Sequence, residues 1–119
     1  MPFFDQNNSY KISFNNPTQD IPGHNSIEIE EFEECKEIDE YIEKHYKGTK
    51  LFGYPTFTQN DIRENIANGK ELLLLLQLDS NNSNGKIMVG DYGIMNFFIT
   101  KEDLENMNFT NIIYNWDCY

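Results

Sequence analysis

The leucine run of residues 72–76, continued by Gln77 and Leu78, constrains the fold more than any other stretch of this sequence. Leucine has a helical bias, but the run is short and is flanked by turn-forming residues. Such a run is typical of a strand that is buried on both faces. We therefore predict a strand over residues 71–78 in the centre of a sheet. Gln77 is expected to pair there with backbone groups, because an unpaired buried amide costs about 1–3 kcal/mol.

Periodic patterns predict helices on both sides of this strand. Apolar side chains at helical spacing predict a helix over residues 33–46. A second short helix is predicted over residues 61–68, with Thr58 as its cap. A third is predicted after Thr100, which caps it together with Asp103. The apolar stripe of the first helix consists of Cys35, Ile38, Tyr41, Ile42 and His45.

Alternating patterns and turn residues predict the remaining strands. They lie at residues 9–14, 27–32, 86–89, 94–99 and 111–116. Together with the helices, they predict an α+β fold, a twisted and mainly antiparallel sheet with two or three short helices packed on one face. The direction of the last strand stays open, because its connection is near the minimum length for a parallel crossover.

Length and composition indicate one domain over residues 1–119. The chain has nine basic and twenty acidic residues, for a net charge of −11. Such a surface repels phosphate backbones and anionic membranes, and no basic stripe compensates for it. We expect no nucleic acid and no membrane as partners. A basic protein is the kind of partner that this charge would attract.

No cofactor or metal site is predicted. The histidines and cysteines have no ligand spacing, and no Cys-x-x-Cys pair, nucleophile elbow or phosphate loop occurs. The first residues carry neither a basic region nor an apolar run of the kind that a signal peptide has. We therefore expect a cytoplasmic protein with free thiols.

The stretch from residue 53 to residue 118 resembles the YwqG-like family of bacterial proteins of unknown function. The segments that carry the resemblance are residues 53–59 (GYPTFTQ), 74–80 (LLLQLDS), 90–93 (GDYG), 96–99 (NFFI), 103–104 (DL), Phe109 and 114–118 (YNWDC). Family members are usually longer, so the chain resembles the C-terminal part of such a protein. The family has no established activity. Some relatives are thought to sit beside secreted toxins, so the resemblance implies an immunity-like role.

Four residues are candidates for a binding cleft. Asp91, between Gly90 and Gly93, is interpreted first as part of a tight turn, and as a binding carboxylate second. Asp117 can approach Asp91 only if the last strand runs antiparallel to residues 94–99. Asp79 is expected to be about 17 Å from Asp91, at the far end of a hairpin. Tyr54 and Gln59 complete the candidate set.

The function predicted is that of a non-enzymatic intracellular module that binds another protein, with an immunity-like antitoxin as one form of it. An acidic face that includes Glu30, Glu34 and Glu37 is expected to steer a basic partner. The alternative is a ligand-binding domain or an enzyme with a carboxylate-lined cleft. No catalytic residue is assigned.

Overall fold

In a computed structural model of the protein, the residues described are Ser13, Pro22 and residues 26–28, 48–80 and 87–118. They contain a four-stranded antiparallel sheet in which the strands lie in chain order. The strands are β1 (Lys50–Leu51), β2 (Leu72–Asp79), β3 (Ile94–Thr100) and β4 (Ile113–Asp117). The described part is thus a small fold of mostly β or α+β type.

The leucine run forms β2, an inner strand between β1 and β3. The prediction of a central strand is therefore confirmed. The expected burial on both faces is wrong, because Leu74 is 2% exposed while Leu73 is 40% exposed. Leu74 lies opposite Phe98 on the core side, and the register shifts between Leu74 and Leu76. The buried Leu72 and Leu74 therefore share one face of β2, and Leu73 lies on the other.

The predicted helix over residues 61–68 is wrong as an α-helix. Two 3-10 turns, Ile62–Asn65 and Gly69–Glu71, occupy this region. The cap is Asp61, whose side chain accepts from the Arg63 backbone N–H, and not Thr58. Asn68, with a φ of 58°, interrupts the helical path before Gly69.

Helix α1 (Lys101–Glu105) is the α-helix of the described residues. The Thr100 hydroxyl accepts from the Asp103 backbone N–H at 3.1 Å, so Thr100 is confirmed as the cap. The Asp103 carboxylate accepts from the Asn108 side chain at 3.2 Å. The predicted helix over residues 33–46 and the strand over 9–14 lie outside the described residues, apart from Ser13. The expectation of helices packed on one face therefore stays a prediction.

The prediction that residues 86–89 form a hairpin with the leucine strand is wrong. Strand β2 pairs directly with β3, from Leu72 opposite Thr100 to Asp79 opposite Ile94. In the predicted strand over residues 86–89, Ile87 forms a single bridge and no extended ladder. In the predicted strand over residues 27–32, Ile27 and Glu28 lie in a 3-10 turn.

Both faces of β3 carry buried side chains, because Met95 and Ile99 are buried as well as Phe98. The main core cluster lies on one face of the sheet. It consists of Phe57, Leu72, Leu74 and Phe98, against which Ile62, Ile66 and Ile113 pack. The rings of Phe57 and Phe98 stack with centroids 6.2 Å apart. Residues 55–57 therefore cross over the sheet as a cover, and this crossing carries part of the site described below.

A buried ion network ties residues 26–28 to this core. Arg63, 2% exposed, donates from Nη2 to Asp61 Oδ2 at 2.6 Å and from Nη1 to Glu28 Oε1 at 2.5 Å. Its guanidinium carbon lies 5.5 Å from the centre of the Phe98 ring. The Ser26 hydroxyl donates to Glu28, and the Ile27 backbone N–H donates to Asp61 at 3.0 Å. Paired partners are what make a buried charge tolerable.

This network makes the stability of the protein depend on pH. Burial by itself raises the pKa of Glu28, but hydrogen bonds from Arg63 and Ser26 and the Arg63 charge outweigh it, so the pKa lies below its ordinary 4.5. The stabilisation from Glu28 is therefore fully present above pH 4.5 and is lost as the pH falls through the lower folded-state pKa.

We expect a Glu28→Gln protein to lose less stability on acidification than the wild type. Urea unfolding at several pH values between about 6 and about 3 measures the two slopes. Glu102→Gln, at an exposed position of α1, serves as the matched control. Equal slopes for the wild type and the Glu28→Gln protein would contradict the assignment.

Candidate acidic cleft

A cleft of about 510 Å³ opens where β2 ends and β3 begins. Its walls are aromatic, aliphatic, hydroxyl and carboxylate side chains. The lining residues are Phe57, Thr58, Asp79, Ser80, Asp91, Tyr92 and Ile94. A volume of this size is in the range of clefts that hold a small molecule or a side chain of a partner.

The turn over residues 89–93 brings Asp91 and Tyr92 to this cleft. The Gly93 N–H donates to the Val89 carbonyl at 2.7 Å and closes the turn. Gly90 and Tyr92 both adopt left-handed backbone angles, with φ of 58° and 51°. A Cβ on Gly93 would lie 2.1 Å from the Asp117 carbonyl oxygen, so only glycine allows this approach.

Ser80 fastens the turn to the end of β2. Its hydroxyl donates to the Gly93 carbonyl at 2.7 Å and accepts from the Val89 N–H at 3.1 Å. Its backbone N–H donates to the same Gly93 carbonyl. The interpretation of residues 90–93 as a tight turn therefore agrees with the structure.

The expected separation of Asp79 and Asp91 is wrong. Both aspartates line the same cleft. Asp79 lies opposite Ile94, the first residue of β3, and the turn immediately precedes that residue. The estimate assumed that residues 86–89 pair with the leucine strand, which would have placed the turn at the other end of the sheet.

Asp117 and Gln59 come together beside the cleft. Strand β4 runs antiparallel to β3 and places Asp117 opposite Ile94, which settles the direction that the sequence left open. The Asp117 carboxylate accepts from the backbone N–H groups of Thr58 at 3.2 Å and Gln59 at 3.1 Å. The Gln59 side chain donates to the Cys118 carbonyl at 2.9 Å. Asp117 is thus engaged in holding the chain rather than lining the cleft.

Tyr54 does not line the cleft; it is half-buried in the segment that leads to Thr56. Glu30, Glu34 and Glu37 lie outside the described residues. Among the sequence candidates, Asp91 is therefore the one that reaches the cleft directly.

Amide side chains of the sheet hold the covering segment. Gln77 accepts from the Thr56 N–H at 2.6 Å and donates to the Gly48 carbonyl at 2.8 Å, as predicted for this buried amide. The Asn96 side chain donates to the Thr56 carbonyl at 2.9 Å. The sequence signal for such contacts is weak, since Asn96 is simply a polar residue in an apolar strand.

The cleft presents its two carboxylates differently. The Asp79 carboxylate accepts from the Gly48 backbone N–H at 3.0 Å, which fixes its orientation. Asp91 is exposed, as is Tyr92, 55% of whose surface is accessible. Within the described ranges, no group of three histidine, cysteine or acidic side chains is arranged to hold a metal ion. The arrangement suits the binding of a cationic group through Asp91, with an aromatic face beside it.

Sequence reasoning missed Ser80 and Thr58 as cleft residues. Ser80 follows the strand directly and precedes a polar stretch, and nothing in the sequence distinguishes it from Ser83 in the same predicted loop. Thr58 was interpreted as a helix cap. The pairing of β2 with β3 brings Ser80 beside Asp91, and the contact with Asp117 of β4 holds Thr58 at the cleft.

Comparison with models of known protein families assigns the chain to a family. A family model described as a domain of unknown function (DUF1963) matches residues 3–118. The chain belongs to the DUF1963 family. The match includes the residues before Gly53, to which the resemblance noted above did not extend. None of the curated proteins matches this DUF1963 chain.

In the part of this DUF1963 domain that the structure describes, no helix has the length and apolar character needed to cross a membrane. The family is described as a domain of unknown function, so the match assigns no activity to the chain.

Proposed function

We propose that this DUF1963 domain is a non-enzymatic binding module that recognises a basic segment of another protein in its acidic cleft. The observation that carries the proposal is the pairing of an exposed carboxylate, Asp91, with an exposed aromatic ring, Tyr92, at a concave site. A lysine or arginine side chain can form an ion pair with the first and contact the face of the second.

The distribution of charge supports a basic partner. The chain has a net charge of −11, which speeds the approach of a cationic protein. Acidic residues at positions 30, 34 and 37 would extend the same field. We place the protein in the cytoplasm, and the antitoxin role implied by the YwqG-like resemblance is the case in which the partner is a cationic toxin domain.

The alternative of a carboxylate-lined cleft for a small ligand or for catalysis draws on the same side chains. Asp79 and Asp91 share the cleft, as paired acid and base groups would. However, Asp79 is engaged with the Gly48 N–H and Asp117 with the chain at Thr58 and Gln59. This engagement favours binding over proton transfer.

Asp91→Asn is expected to weaken binding of a ten-residue oligolysine probe about tenfold, because a hydrogen bond to a charged group is worth roughly 1.5–3 kcal/mol and an exposed carboxylate lies at the low end of that range. Fluorescence anisotropy with the labelled peptide measures the dissociation constant. Raising the salt from about 50 mM to about 500 mM should weaken binding to both proteins, since screening shortens the reach of the field.

The control is Glu102→Gln, which removes one negative charge at an exposed site away from the cleft. It separates the cleft from the general attraction of an acidic protein for a polycation. Equal affinity of the Asp91→Asn and Glu102→Gln proteins would rule out the cleft as the binding site. A small diamine, cadaverine, tests the ligand alternative, which is favoured if cadaverine binds as tightly as the peptide.

A further inference from the structure

The segment over residues 55–59, here called the strap, forms one wall of the cleft through Phe57 and Thr58. The backbone over residues 54–57 forms neither a helix nor a strand. Side chains of the sheet take the place of a strand ladder beneath it. The neutral amide side chains of Gln77 and Asn96 hold the backbone of Thr56 near the middle of the sheet.

The far end of the strap is held by the Asp117 carboxylate and by the Gln59 side chain, which donates to the Cys118 carbonyl at 2.9 Å. Asp117 accepts two consecutive backbone N–H groups, those of Thr58 and Gln59, one on each of its oxygens. Asp117 lies 59 positions after Thr58 and 58 positions after Gln59 in the chain, so both hydrogen bonds are long-range contacts. A charged acceptor strengthens a hydrogen bond relative to a neutral one, so this contact should dominate the position of the strap at Thr58.

Asp117 itself is not part of the cleft wall. It lies on β4 opposite Ile94, and Ile94 is the residue of that pair that lines the cleft. A partner seated in the cleft would therefore meet Phe57 and Thr58, and not the carboxylate that holds them.

We infer that Asp117 is a positioning residue. By holding Thr58 and Gln59, it sets the distance between the Phe57–Thr58 wall and the Asp91–Tyr92 wall of the cleft. This inference rests on the proposed function and names a residue that controls the shape of the same site. Without the carboxylate the strap loses two charged hydrogen bonds, and the cleft no longer keeps a fixed width for the basic side chain.

The test compares two observables in Asp117→Ala and Asp117→Asn proteins. Amide hydrogen exchange at Thr58 and Gln59 is expected to speed up about tenfold or more in Asp117→Ala, because both acceptors are gone. Affinity for the oligolysine probe is expected to fall about fivefold in the same protein, since an ordered site binds better than one that must be ordered on binding. Asp117→Asn keeps one acceptor oxygen and is expected to show smaller changes in both observables.

Two controls separate positioning from charge. Glu102→Gln changes the net charge by the same amount and should alter neither observable. Asp91→Asn should lower the affinity without changing exchange at Thr58 and Gln59. If Asp117→Ala fails to fold, as judged by thermal unfolding, exchange and affinity are compared between Asp117→Asn and the wild type instead.

Two outcomes would overturn the inference. Faster exchange at Thr58 with unchanged affinity would show that the position of the strap does not matter for binding. Lower affinity with unchanged exchange would make Asp117 a direct charge contact. A failure of the proposed function looks different, because the Asp91→Asn and Glu102→Gln proteins would then bind equally well; the positioning role falls with it in that case.

Discussion

Replacing Arg63 with methionine is expected to lower the free energy of unfolding by about 3–5 kcal/mol, because it leaves buried carboxylates without their counter-charge. The Arg63 guanidinium donates to both oxygens of Asp61 and to both oxygens of Glu28. Methionine retains much of the side-chain length, so the loss reports mainly on charge pairing and less on an empty space. Urea unfolding at neutral pH measures the change.

Two further proteins make this measurement specific. Lys101→Met removes a cation that is 78% exposed and 3.7 Å from Glu105, and it should change stability by no more than about 0.5 kcal/mol. Combining Arg63→Met with Asp61→Asn and Glu28→Gln should recover part of the loss, because the network is then neutral throughout. An Arg63→Met protein as stable as the Lys101→Met control would show that the network does not stabilise the fold.

Gly93→Ala is expected to destabilise the protein by about 3 kcal/mol or more, since an added Cβ meets backbone atoms that cannot move away alone. The Cβ would lie 2.1 Å from the Asp117 carbonyl oxygen and 2.6 Å from the Val89 carbonyl oxygen. Either β4 or the turn before β3 must shift, and this turn carries Asp91 and Tyr92 of the cleft. Thermal and urea unfolding measure the loss.

Gly48→Ala is the matched control for this prediction. Nothing lies within 4 Å of the Cβ that it adds, but its φ is 124°. Backbone strain alone is therefore expected there, at about 1–2 kcal/mol. If both alanine variants lose the same stability, the close approach at Gly93 has no effect beyond strain.

The local features of this chain were readable from its sequence because their causes are local. The strand over Leu72–Asp79 follows from a short leucine run between turn residues. The cap of α1 follows from Thr100 and from the position of Asp103 three residues later. The need of Gln77 for backbone partners follows from its place in a buried strand.

The helix predicted over residues 61–68 shows where local signals fail. Its sequence is compatible with a helix, but Arg63 turns inward to Asp61 and Glu28. Burial of that guanidinium among its partners outweighs the weak helical preference of the segment. The sequence around Arg63 does not indicate that this residue pairs with Glu28, 35 positions earlier in the chain.

The acidic charge, the central strand and the tight turn at residues 90–93 follow from local sequence. Which strand pairs with β2 depends on how the whole sheet packs, and this pairing forms the cleft. Because β3 and not residues 86–89 lies beside β2, Asp79 and Asp91 share one site. The antiparallel pairing of β4 then brought Asp117 to the strap. Such contacts join residues far apart in the chain, so they depend on the packing of the whole sheet and leave no periodic trace in the sequence.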